Sequence, residues 1–338
     1  MRVLMTGGAG YVGSACYRSM RARGIEAFVL DDLSEGHAEA VEPTRLRTAD
    51  LRDTEAVARV LRDDRIDHVV HFAGLTSVPD SIRIPSEYWS VNVDGSRSLL
   101  EAMRATGVSK IVFSSTAAVY AHGSDEPLRE GDLVAPATSY ATWKLAVEYL
   151  LQAYADAYGI AATALRYFNA SGADADGCHG EAHRHETHVI PLLVKTALRQ
   201  RPAFTVFGDS WRTHDGSCVR DFVSVQDLAE AHRLALAKLR PGRFTSFNLG
   251  SGHGSSVFEL IKAAEEIVGE KVRFMVADPR PGDPAVLLAD IGQAEAGLDW
   301  RPAHSSLRSI LESAAKWHGR HPEGYAVPAT AALDHTRI

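Results

Sequence analysis

Cysteine is scarce: Cys16, Cys178 and Cys218 are the only three in 338 residues. So few and so scattered, they exclude a disulfide-stapled secreted fold and agree with a reducing compartment. Long apolar runs are missing as well, since charged residues interrupt every window of about eighteen, so no spanning helix is expected. Lysine and arginine form no basic stripe, and a formal charge of −7 gives no electrostatic reason to bind nucleic acid. Neither an internal repeat nor a low-complexity segment is present. A β-rich run that starts at Arg2 leaves no room for a signal peptide, so the expected compartment is the cytoplasm. The chain is long enough to bury a large core, as one large domain or two smaller ones.

What is present begins with "MTGGAGYVGS", residues 5 to 14. It sits between a short strand-like run, Arg2 to Met5, and a helical pattern from Ala15 to Ala22, so Gly7, Gly10 and Gly13 fall on a strand-to-helix turn. Gly7 can take backbone angles closed to other residues, Gly10 lets a diphosphate approach closely, and Gly13 lets helix lie against strand. A tight packing turn would use the same glycines. The run from Ile25 to Leu30, ending at Asp31 and Asp32, favours the nucleotide: a carboxylate there accepts both hydroxyls of an adenosine ribose and repels the extra phosphate of NADP. Through residue 170, short β-rich runs alternate with helical ones: a crossover around Asp53 to Arg62, "DHVVHFAG", a segment from Pro85 to Thr106, "KIVFSS", a helix over Ser139 to Tyr158, and "AATALRYFN". This alternation predicts an α/β fold, a Rossmann-like doubly wound parallel sheet, over residues 1–170. A smaller α/β substrate domain is expected over 171–325, sending strands from about 219–250 back toward the first, with a loose tail over 326–338.

Chemistry concentrates in "SYATWKLAVEYL" and "FSSTAAVY". Tyr140 and Lys144, four apart on a helix, share a face, where an ammonium can stabilise tyrosinate and draw the phenol toward neutrality. Thr116 ends a strand at the carboxyl edge of the sheet, where ligands of open α/β folds bind, and its hydroxyl can meet the same substrate oxygen. Pairs of this spacing also arise by chance in ordinary helices.

The TGGAGYVGS turn, HFAG, the strand-end SST, the Tyr140–Lys144 pair and Asn92 in "NVDG" together resemble the extended short-chain dehydrogenase/reductase family. Later stretches, "LRYFNASGA", "ETHVIP", "VFGDSWRTHDGSCVRDFV", "NLGSG" and "RPGDPAVLLAD", are similar to its UDP-glucose 4-epimerase branch, so the resemblance runs from residue 1 to about 325. It implies interconversion of UDP-glucose and UDP-galactose through a transient 4-keto sugar with tightly held NAD, Tyr140 being the base. Lys144 would depress that tyrosine and hold the nicotinamide ribose, and Thr116, where serine is usual, would orient the hydroxyl. For the cofactor the resemblance implies Gly7, Gly10, Tyr11, Val12 and Gly13 at the phosphates and Asp31 at the ribose. Asp50 and Leu51 would lie beside adenine, Phe72, Ala73, Gly74 and Asn92 beneath the dinucleotide, and Tyr167 at the nicotinamide end. Thr76 stands where many relatives carry a lysine, a departure that would weaken retention of NAD. For the substrate it implies Asn169 on a diphosphate or sugar oxygen, Arg220 and Arg280 as a phosphate clamp, and Asp283 near the uridine ribose. His188 and Val189 would be near uracil, and Leu287 at a position often tyrosine in members restricted to hexoses. A smaller residue there goes with tolerance of an N-acetyl group, so UDP-N-acetylhexosamines stay open as substrates; UDP-pentoses do too, because the same residues would serve and only the pocket around sugar C6 would differ.

"CHGEAHRHETH" offers Cys178, His179, His183, His185 and His188, but neither H-E-x-x-H nor C-x-x-C spacing, so no metal is expected and the stretch reads as a loop covering the nucleotide. A sugar-nucleotide dehydratase would need an Asp-Glu pair after Thr116, where Ala117 and Ala118 stand. A non-catalytic NAD- or UDP-binding regulator has no need of both Tyr140 and Lys144. The resemblance further implies a homodimer formed by the helices of 85–106 and 139–158, with no nucleic-acid or membrane partner.

Overall fold

A computed structural model describes residues 1–121, 126–280 and 282–325; the tail expected over 326–338 lies outside the described residues. The first half supplies strands β1 (Arg2–Thr6), β2 (Glu26–Asp31), β3 (Leu46–Thr48), β4 (His68–His71), β5 (Lys110–Thr116) and β6 (Ala161–Tyr167). Between them run α1 (Tyr11–Ala22), α2 (Thr54–Asp63), α3 (Val78–Arg83), α4 (Pro85–Tyr88), α5 (Gly95–Thr106) and α6 (Ser139–Tyr158). The second half adds β7 (Asn169–Ser171), α7 (Val189–Ala197), β8 (Phe204–Phe207), β9 (Val219–Ser224), α8 (Val225–Lys238), β10 (Phe244–Leu249) and β11 (Gly254–Ser256). It ends with α9 (Val257–Val268), β12 (Phe274–Ala277), β13 (Val286–Leu287), α10 (Gly292–Leu298) and α11 (Leu307–Arg320).

Seven strands form one parallel sheet in the order β10-β6-β5-β4-β1-β2-β3. Successive residues of β1 feed opposite cores, which is why Val3, Leu4 and Met5 are all apolar. Val3 and Met5 pack with Cys16 and Met20 of α1 and Leu228 of α8, while Leu4 packs with Leu61, Leu99, Met103 and Leu151 on the other face. The strand order reverses at β1 and β4, opening a crevice at their carboxyl ends. α6 starts where Thr138 accepts the Ala141 amide at 3.2 Å and stops at left-handed Gly159. The segment read as helix over 85–106 is divided: Trp89–Asp94 forms a wider π turn between α4 and α5.

β10 joins the large sheet, but β9, grouped with it in the sequence reading, does not. After β6 the chain bends at Phe168, and β9 follows the bent segment instead, with Asn169 opposite Phe222. β9 pairs with β7, β11 and β13 in a four-stranded sheet, and β8 and β12 make a separate pair. α7, α9 and α11 close a third apolar core there through Leu193, Leu260 and Ile310.

Candidate active site

At the phosphate turn Gly7 has φ +68, and a Cβ would lie 2.4 Å from the Ala73 nitrogen, so only glycine fits. A Cβ on Gly13 would meet the Gly7 carbonyl at 2.4 Å, which measures how closely α1 lies on the turn. Gly10 caps α1 without a side-chain bond, leaving the helix N-terminus, with Tyr11 and Val12, suited to an anion. The Tyr11 hydroxyl donates to the Gly172 carbonyl at 2.5 Å, tying the turn to the second half. Asp31, buried at the end of β2, accepts the Ala9 and Leu33 amides at 2.9 Å each. Burial raises its carboxyl pKa and those amides oppose the rise. An uncapped helix end behind a glycine cradle, with a carboxylate one strand over, fits a dinucleotide.

Farther along the carboxyl edge, the Arg52 guanidinium binds Asp50 at 2.6 Å and holds its carboxyl below the usual range. Leu51 is buried and would touch a Cβ on Gly95 at 3.4 Å. Phe72 and Ala73 both donate their amides to the Thr6 carbonyl, at 2.8 and 2.9 Å. The π turn carries buried Asn92, whose carboxamide accepts the Leu75 amide at 2.8 Å and donates to the Leu75 carbonyl at 3.0 Å. Asn92 thereby fixes the backbone that follows Gly74, where a Cβ would lie 3.0 Å from its oxygen. Thr76 just beyond is exposed.

Tyr140, in the first turn of α6, lies beside Thr116 at the end of β5, whose hydroxyl works to lower the Tyr140 pKa. The Tyr140 amide donates to Ser81 Oγ of α3 at 3.2 Å. Buried Lys144 donates to the Ser114 carbonyl at 2.9 Å, and its nitrogen stands 4.9 Å from the Phe113 ring centre and 5.9 Å from that of Tyr140. Burial lowers the Lys144 pKa to about 8, against the pull of Glu148. The Tyr140 phenol is pushed up, chiefly by burial, where the sequence reading has it drawn down. The physical reason is burial, to which the neighbouring Tyr88 phenol adds, while the Lys144 ammonium donates to the Ser114 carbonyl. Beneath this face Glu148 takes two bonds from Arg166, at 2.6 and 3.0 Å, and the Ser115 hydroxyl at 2.5 Å, locking α6 against β5 and β6. Tyr167 is buried with its hydroxyl 2.6 Å from His232 Nε2.

On the substrate side, Asn169 donates to the Asp221 carbonyl at 2.9 Å. Arg220 lies 3.7 Å from Asp283 and donates to the Val219 carbonyl, while the Arg280 guanidinium stacks 3.9 Å above the Phe207 ring. Leu287 pairs in register with Arg220 and packs against a small apolar cluster of Ala117, Val119, Tyr120 and Leu145. That contact joins the clamp to the Thr116 strand end. His188 caps α7 ahead of Val189 and meets the carboxylates of Glu181 and Glu186 at 2.8 and 3.0 Å. Of the five donors noted in the histidine-rich loop, His183 and His188 converge. Cys178 is exposed, and His179 is buried between Ser14 and Tyr325. Sequence reasoning missed Ser81, Ser114, Glu148, Arg166 and His232. Only Ser114 had a local signal, its place in the strand-end "FSST".

A Rossmann-order sheet with a glycine phosphate cradle, a ribose carboxylate and a Thr-Tyr-Lys cluster at the same edge defines a dinucleotide-dependent enzyme. Residues 3–250 match the family model described as NAD dependent epimerase/dehydratase family, and the chain belongs to that family. It is 42% identical over 327 residues to the UDP-glucose 4-epimerase of Halalkalibacterium halodurans, covering 96% of this chain and 98% of the relative. With the UDP-glucose 4-epimerase of Corynebacterium glutamicum it shares 43% identity over 315 residues, 93% of this chain and 94% of the other. The crystal structure of UDP-glucose 4-epimerase from Brucella ovis in complex with NAD matches with a TM-score of 0.89 at 38% identity, over 93% of this chain and 97% of that one.

Proposed function

We propose that the chain is an NAD-dependent 4-epimerase that interconverts UDP-glucose and UDP-galactose through a transient 4-keto sugar. The observation that carries this is the gathering of Thr116, Tyr140 and Lys144 at one end of β5, with the Lys144 nitrogen 5.9 Å from the Tyr140 ring centre. Gly7, Gly10, Tyr11, Val12 and Asp31 hold NAD, with Asn92 bracing the backbone beneath it. When bound there, NAD supplies a reversible hydride acceptor for the sugar C4. Tyr140 takes the proton of the 4-hydroxyl and later returns it, Thr116 orients that oxygen, and charged Lys144, once turned from the Ser114 carbonyl toward the phenol, favours the tyrosinate. Arg220 and Arg280 grip the diphosphate, which lets the sugar turn over between the two proton transfers. Around the turning ring, buried Ala117 and partly buried Leu287 offer apolar contact. Ala117 and Ala118 cannot exchange protons at sugar C5 and C6, which separates this site from a dehydratase.

The same reading has the chain act in the cytoplasm as a homodimer. Supporting it are free cysteines and the exposed Ile82, Trp89 and Tyr149 on and beside the helices named for that contact. Among the described residues no helix is long and apolar enough to cross a membrane.

The decisive experiment supplies UDP-galactose, UDP-GalNAc and UDP-xylose separately, with and without NAD, and resolves the products by NMR. Wild type inverts C4 of UDP-galactose, and Tyr140→Phe keeps its NAD while losing roughly 10³-fold in turnover. A variant with full activity would falsify the assignment of the base.

A further inference from the structure

We propose that Glu181, His183 and His188 form a binding site for one divalent transition-metal ion of the zinc class. This does not depend on the epimerase reading. One oxygen of Glu181 faces two imidazoles: His188 Nδ1 stands 2.8 Å from it and His183 Nε2 3.2 Å. All three donor atoms lie within 4.8 Å of one another. A tetrahedral ion with bonds of about 2.0–2.2 Å to nitrogen and carboxylate oxygen sets its donors about 3.4 Å apart, so the 3.2 Å pair already fits and the 2.8 Å pair must open by about half an ångström. Glu181 is 3% exposed, and apart from those two imidazoles its facing oxygen has no hydrogen-bond partner among the described residues. A buried carboxylate oxygen so placed is matched by positive charge, which protonated imidazoles or a metal ion on the same donor atoms can supply.

The donors are also held from behind. Trp317 donates its indole N–H to the Glu181 carbonyl at 2.9 Å, and His37 Nε2 lies 2.6 Å from the Ala182 carbonyl between the first two ligands. Gly180 rests on Trp317 so closely that a Cβ would come within 2.5 Å of the ring. Glu186 accepts the Thr187 and His188 amides at 2.8 Å each, which fixes the third ligand at the start of α7. The ligand loop is thus tied to α11, to the segment after β2 and to α7, while the His183 ring lies 6.2 Å, edge-on, from Tyr11 on α1. Two imidazoles and one carboxylate suit zinc, nickel or cobalt rather than magnesium or calcium, and three protein ligands leave a position for water. The spacing E-x-H-x4-H comes from a loop and the cap of a helix, which is why no helical metal motif marks it in the sequence.

The test uses the full chain without a histidine tag. It is stripped with chelator, dialysed against micromolar zinc and assayed by elemental analysis, with cobalt absorption in the visible as a second probe. One ion per chain is expected in wild type and in the control His253→Ala, falling below about a tenth in Glu181→Gln and in His183→Asn. Circular dichroism confirms that each variant is folded. Should Glu181→Gln unfold, His183→Asn, which removes a less buried ligand, decides the matter. Wild type without bound zinc, or both folded variants still holding one ion, would overturn the proposal. The first result would mean that the cluster holds only protons, and the second that the metal sits elsewhere.

Discussion

In the large sheet, each strand is held by a regular ladder; Met5 lies in register between Val29 and Val70. In the smaller sheet, β9 is held by one of its own carboxylates. Fully buried Asp221 accepts the Ser251 amide and hydroxyl at 2.5 and 2.7 Å, the Gly252 amide at 3.1 Å and the Ala289 amide at 3.2 Å. Gly250 belongs to the same hub, since a Cβ there would sit 2.4 Å from the Asp221 carboxylate. Asp227 repeats the device on α8 by gathering the Ala303 and His304 amides and the Ser305 hydroxyl. A ladder spreads its bonds over many residues that all read as β-rich. A hub concentrates them in one side chain and draws loops from far along the chain to the clamp residues beside it. The nucleotide end of the site is built on the first device, the substrate end on the second.

If that contrast holds, removing a hub costs more than any single ladder residue. Asp221→Ala strands four donors in a buried site and is expected to lose about 4 kcal/mol in denaturant unfolding. Because Arg220 precedes it and Asn169 bonds its carbonyl, KM for the UDP-sugar should rise in whatever protein still folds. A loss under about 1 kcal/mol, the value of one ordinary hydrogen bond, would break the comparison.

The ladder lobe carries a cost of its own at the catalytic face. Lys144 is buried and its pKa is lowered from 10.5 to about 8, a shift that favours the unfolded state while the amine is charged. Lys144→Met should therefore stabilise the cofactor-free protein by about 3 kcal/mol at pH 7 and abolish turnover. The sign follows from proton binding: between pH 8 and 10.5 the unfolded chain binds more protons at this site, so wild-type stability rises there. The gap between variant and wild type should close over the same interval. Melting curves from pH 7 to 10.5 that stay parallel would remove the argument.

Legibility in the sequence follows the same division. The doubly wound sheet could be read because each strand and crossover carries its own pattern, and Gly7 and the Tyr140–Lys144 pair because their spacing is local. Ser81 beneath the Tyr140 amide and His232 on Tyr167 had no such signal; they meet their partners across 59 and 65 residues. The π turn, Trp89–Asp94, is a run of middling helix formers whose pattern does not announce a wider turn. β9 read as a strand, but a strand's own residues do not state which sheet it joins; here Asp221 and the bend at Phe168 decide. The convergence of Glu181, His183 and His188 was hidden for the same reason, since the backbone ties that create it come from Trp317 and His37.

The finest form of the comparison lies in two helix caps. Asp53 opens α2 in the ladder lobe by accepting one amide, that of Ala56 at 2.9 Å. Ser256 opens α9 with a complete capping box, accepting the Glu259 amide at 3.1 Å while its own amide donates to the Glu259 carboxylate at 2.8 Å. Its hydroxyl also donates to Asp215, which in turn holds the Ser217 amide and hydroxyl just before β9. Asp53→Ala should cost about 1 kcal/mol, the ordinary value of a cap. Ser256→Ala should cost about 2 kcal/mol, because it also deprives a partly buried carboxylate of a donor. Equal losses in paired urea titrations would mean that the Asp215 link adds nothing and that the caps of both lobes act locally. A larger loss at Ser256, accompanied by weaker UDP binding, would show that even a helix cap in the smaller lobe is wired to the clamp strand.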